Sequence, residues 1–98
     1  MTRAILAEEL GIVGKLEEFS ATIEFVNDVA IVRIGAIRGR IENPLSIRAG
    51  LERVARAEGA RRLRVEARLA NPRLLTILLT RYGFVSGEGL ETLEVEFA

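Results

Sequence analysis

ATIEFVNDVAIVRIGAI, residues 21–37, restricts this chain more than any other stretch. Two runs rich in β-branched residues, 21–26 and 29–37, are separated only by Asn27-Asp28. Such runs favour extended backbone, and Asn and Asp both tolerate the positive φ that a two-residue hairpin turn requires. The pattern predicts an antiparallel hairpin, and therefore a sheet to receive it. Gly35, inside the second run, predicts a bulge or a close approach of another backbone.

After the hairpin, helical and extended patterns alternate. Asn43-Pro44 predicts a helix start, with Asn as cap and Pro at the first helical position. Ile47, Leu51, Val54 and Ala55 form its apolar stripe, and Gly59 ends it. RRLRVEA (61–67) reads as a strand with Leu63, Val65 and Ala67 inward and Arg64 and Glu66 outward. Asn71-Pro72 repeats the helix start, Leu74, Leu75, Leu78 and Leu79 supply an apolar face, and Gly83 terminates. FVS and LETLEVEF then read as two strands around residues 86–89. Ahead of the hairpin, residues 3–19 are rich in helix formers, with Ile5, Leu6, Leu10, Val13 and Leu16 near one stripe. Gly11 and Gly14 interrupt that stripe at about 1 kcal/mol each, which predicts two short helices or one weak one. The expected order is helix(es), strand, strand, helix, strand, helix, strand, strand. Strand–helix–strand units of this length predict parallel neighbours with right-handed crossovers. With 98 residues and no dividing linker, one domain over 1–98 is expected.

Composition narrows the chemistry. There is no histidine and no cysteine, which removes the usual general base, the thiol nucleophile and the commonest metal ligands. A metal site is not expected. Glu24 and Glu66 are the candidate bases, and each also fits a solvent-facing strand position. No apolar run approaches the roughly 20 residues needed to span a bilayer, and the start shows no signal-peptide core, so a soluble cytoplasmic protein is expected. Charge is segregated. Residues 1–30 carry two basic and six acidic groups, residues 31–81 twelve and four, and residues 82–98 four acidic groups alone. Nucleic-acid binding is not expected. GIVGK (11–15), which is similar to an RNA-binding GXXG loop, lies among Glu8, Glu9, Glu17 and Glu18, and no aromatic platform accompanies the arginines.

The order of elements, together with IRGRIENPLSIRAGLERVARAEGA (37–60) and NPRLLTILLTRYGF (71–84), resembles the GNAT family of acyl-CoA-dependent N-acyltransferases. The resemblance covers about residues 20–98, with the family's first strand absent. It implies an α/β fold, a GNAT-like mixed sheet with flanking helices. It also implies acetyl-CoA or coenzyme A as cofactor, Arg38, Gly39 and Arg40 at the pyrophosphate, and Asn71 at the pantetheine arm. No catalytic residue is assigned, and the amine acceptor is open. Ile41 and Asn43 stand where the family has glycines, and Leu79 where it has its tyrosine. The alternative is therefore a catalytically silent interaction module that binds a protein partner or forms a homodimer through the C-terminal strands. The same central stretch is similar to STAS signalling domains, without their phosphorylatable hydroxyl.

Overall fold

The computed structural model describes residues 2–67, 83, 85–87 and 90–97. Its framework is a six-stranded sheet in the order β1-β2-β3-β4-β6-β5. The strands are β1 Thr2–Ala4, β2 Gly14–Val26, β3 Val29–Ile41, β4 Arg62–Ala67, β5 Val85–Gly87 and β6 Leu90–Glu96. One α-helix, α1 (Ile47–Ala57), stands among the described residues, with short 3-10 turns at Ala7–Leu10 and Pro44–Ser46.

The hairpin forms as the sequence predicts. β2 and β3 pair antiparallel from Val26↔Val29 outward, and Asn27 takes φ 57° in the turn. Both strands run on to 13 residues. Each contains one bulge. Ser20 faces Ala36 while Ala21 faces Ile34, which leaves Gly35 as the extra residue of β3. Leu16 faces Gly39 while Glu18 faces Arg38, which leaves Glu17 as the extra residue of β2. Each bulge keeps apolar side chains on the core side across an odd spacing: Ile34 to Ile37 in β3, Leu16 to Phe19 in β2.

β3 leads through α1 into β4, which lies parallel to β3 from Val29↔Arg62 to Ile34↔Ala67. The predicted stripe of α1 is the buried one: Ile47, Leu51, Val54 and Ala55 are all covered. Its end is also as predicted, with Gly59 at φ 83°. In β4, Leu63, Val65 and Ala67 are buried. Burying an aliphatic side chain of this size is worth about 1.5–3 kcal/mol, so this shared layer anchors the molecule. β6 then enters between β4 and β5, antiparallel to both. The neighbour that β4 gains on this side is thus a hairpin return strand, and not the parallel crossover strand the sequence suggested. The Arg56 guanidinium lies 4.5 Å from the centre of the Phe97 ring, which ties the end of α1 to the residue after β6.

Four expectations are corrected. Residues 3–19 are not helical: they supply β1, a 3-10 turn and the first part of β2. Gly11 and Gly14 adopt φ 69° and 145°, outside the right-handed helical region. Of the supposed stripe only Ile5 and Leu10 are buried, while Leu6 and Val13 are exposed. The GNAT arrangement of a sheet flanked by several helices is accordingly not the fold observed, which is a small mixed sheet with one α-helix among the described residues. The chain also begins with an edge strand, β1, where the sequence suggested that a first strand was absent. Finally, Asn43 does not cap its helix. No side-chain cap bond forms there. Its amide instead bridges to the segment before β2, accepting from the Val13 N–H at 2.7 Å and donating to the Gly11 carbonyl at 2.8 Å. The predicted helix over 71–83 lies outside the described residues. Among those described, no helix is long and apolar enough to cross a membrane.

Candidate interaction surface

Arg38, Gly39 and Arg40 lie in β3, inside the ladder with β2. The Arg38 guanidinium meets Glu17 at 3.5 Å, with both side chains about two-thirds exposed. Gly39 has φ 122°, and a Cβ there would stand 2.4 Å from the Lys15 carbonyl oxygen and 2.8 Å from the Glu17 nitrogen. Its missing side chain therefore lets β3 close onto the β2 bulge. Arg40 stands opposite Lys15. At the helix entry the Glu42 N–H donates to the Val13 carbonyl at 2.7 Å and the Ser46 N–H to the Asn43 carbonyl at 3.0 Å. Asn71 lies outside the described residues, so the structure brings together only the three β3 positions.

The candidate bases are both engaged in ion pairs. Arg33 meets Glu24 at 2.8 Å and Glu66 at 3.2 Å. Arg64 meets Glu66 at 2.9 Å and also pairs with Glu94. These groups form one chain of alternating charge, Glu24–Arg33–Glu66–Arg64–Glu94, across β2, β3, β4 and β6 on the side of the sheet away from the core. Hydrogen bonding to Arg64, reinforced by the charges of Arg64 and Arg33, holds the Glu66 carboxyl below its ordinary range. The carboxylates raise both arginines, Arg33 chiefly through its hydrogen bond to Glu24 and Arg64 chiefly through that to Glu66. A carboxylate held ionised in this way is a poorer proton acceptor than an ordinary glutamate.

Among the described residues, an open strand edge lies at the end of the hairpin away from its turn. β1 covers only Thr22–Glu24 of β2, and the Ile5 N–H adds one bond to the Ala21 carbonyl at 2.9 Å. The chain then leaves the edge. Its 3-10 turn crosses the core face, where Leu10 packs against Gly50 of α1. Residues 14–20 of β2 consequently have β3 on one side and no strand on the other among the described residues. Beside this open edge lies a groove of about 440 Å³ lined by Ile5, Leu6, Ile12, Leu16 and Phe19 together with Glu8, Glu17 and Glu18. Leu6 is 58% exposed. The helical reading of residues 3–19 concealed this edge. The odd spacing from Leu16 to Phe19 is the sequence signal that marks a bulged strand there.

Comparison with protein-family models, curated proteins and solved structures finds no match.

Proposed function

We propose that this chain is a protein-binding module without catalytic chemistry of its own, and that it takes up an extended segment of another protein along the open edge of β2. The observation that carries this reading is the outer side of residues 14–20, which no strand covers among the described residues, next to a groove that holds Leu6, Ile12, Leu16 and Phe19. Strand addition draws affinity from main-chain hydrogen bonds and specificity from pockets for alternate side chains. Both components are available at this edge. The engagement of Glu24 and Glu66 in ion pairs supports the absence of a catalytic base.

The test is amide hydrogen exchange at residues 14–20 during titration with eight-residue peptides of cationic, neutral and acidic composition. Slowed exchange with any of them supports the reading. Unchanged exchange with all of them overturns it.

A second reading, binding of coenzyme A or acetyl-CoA at Arg38, Gly39 and Arg40 with Asn71, is favoured by one observation. β3 continues from Gly35 to Ile41 beyond its last pairing with β4, and small ligands of parallel strands gather at such carboxyl ends. A ligand at 100 times its dissociation constant stabilises a domain by about 2.7 kcal/mol, a rise of several degrees in melting temperature at this size. The module reading expects no rise with millimolar acetyl-CoA. A rise abolished by the Arg38→Ala/Arg40→Ala pair would establish the coenzyme instead. If the partner is a second copy joined through the C-terminal strands, sedimentation at high micromolar concentration will show a dimer.

A further inference from the structure

The open edge of β2 is not chemically neutral, and its charges restrict what can lie along it. The bulge at Glu17 places Glu17 and Glu18 next to each other on the exposed side, while Leu16 and Phe19 stay half-buried on the groove side. Glu8 adds a third carboxylate to the groove lining. Glu17 has Arg38 at 3.5 Å, while Glu8 and Glu18 have no ion-pair partner among the described residues. The edge also contains one cation, Lys15, opposite Arg40 at the far end.

Resting on the binding-module reading above, we infer that the occupant is a cationic extended segment with apolar residues at alternate positions. An added strand sends successive side chains to opposite faces. One set meets the groove of Leu6, Ile12, Leu16 and Phe19, and the other meets the carboxylates of Glu17 and Glu18. An acidic strand brings like charges together, which is unfavourable in a sheet. A second copy of this edge is disfavoured for the same reason, because self-pairing sets Glu17 and Glu18 of one chain against those of the other. Charge and a bulge are common protections of an exposed edge. Here they disfavour acidic strands and favour cationic ones over neutral ones. At about 3.4 Å per residue, the open edge accommodates a segment of about seven residues.

Fluorescence anisotropy tests this with labelled eight-residue peptides in 50 mM salt. One alternates Arg with Val, one Thr with Val, one Glu with Val, and one is the Arg/Val sequence with every backbone amide N-methylated. The Arg/Val peptide is expected to bind about tenfold more tightly than Thr/Val, the scale of two exposed ion pairs. The Glu/Val peptide is expected not to bind, nor the N-methylated peptide, which has no backbone N–H to donate to β2. In the Glu17→Gln/Glu18→Gln variant the Arg/Val advantage falls to within about twofold, with an unchanged melting curve to show that the fold is retained. Equal binding of Thr/Val and Arg/Val overturns the charge assignment and leaves edge binding standing. Equal binding of the N-methylated peptide overturns strand addition. No binding by any peptide overturns both this inference and the reading beneath it.

Discussion

Asn43 shows how one residue type supports two local readings. Asn before Pro is a common helix start, and Pro44 does open the helical segment. The side chain, however, satisfies the backbone of Gly11 and Val13, thirty residues earlier in the chain. No local pattern could reveal that, because the bridge depends on where the first turn of the chain settles. The two roles separate by substitution. Serine is as good a cap as asparagine, but its one hydroxyl cannot reproduce the two-sided amide bridge. Asn43→Ser is therefore expected to lose roughly 1 kcal/mol, about as much as Asn43→Ala. Urea denaturation in which serine matched the native stability would assign Asn43 to capping after all.

Among the elements, legibility follows how local the deciding forces are. The hairpin and α1 were readable because turn chemistry and the apolar stripe reside within each segment. The N-terminal region was not, because its strand character depends on pairing of β1 with β2 and of β2 with β3, and on a bulge that shifts the apolar phase. The open edge beside it was hidden for the same reason. The contact between the first 3-10 turn and α1 is likewise non-local, and it passes through Gly50. A Cβ at Gly50 would stand 2.5 Å from the Leu10 carbonyl oxygen and 2.9 Å from its Cα. Alanine gains about 1 kcal/mol in a helix interior, whereas overpacking costs typically 1–3 kcal/mol. Both obstructing atoms are backbone, so the clash outweighs the helical gain. Gly50→Ala is expected to destabilise by about 1–2 kcal/mol, measured as a lower denaturation midpoint. An unchanged or raised midpoint would show that the turn is free to withdraw. Gly35 contrasts with it. The nearest atom to a Cβ there is the Ser20 Oγ at 3.7 Å, so the bulge does not depend on glycine.

For the whole molecule, the uneven charge along the sequence is resolved by strand order. The acidic C-terminal strand lies beside β4 of its own chain, where Glu94 meets Arg64 and Glu96 meets Arg62. The alternation was legible in sequence, but its closure within one chain was not, because it needs β6 to insert next to β4. Glu66 joins this network from two sides. Its carboxyl is lowered in the folded state from the ordinary 4.5. The associated stability is thus fully present above that value and is lost as pH falls through the folded value. At pH 7, Glu66→Gln is expected to be less stable than the native chain by roughly 1 kcal/mol. Below pH 4.5 the two should converge. Thermal melts from pH 7 to pH 3 that ran parallel would show that the network adds nothing to folding.

The position of β6 also has a consequence for biosynthesis. It is the last of the six strands to leave the ribosome, yet it occupies an interior place in the sheet. Until it emerges, β4 can align with β3 but lacks its other neighbour, and Arg62 and Arg64 have no Glu96 or Glu94 to meet. A nascent intermediate with a bare, cationic flank is therefore built into the order of synthesis, and the final strand both completes the hydrogen-bonded ladder and neutralises that flank.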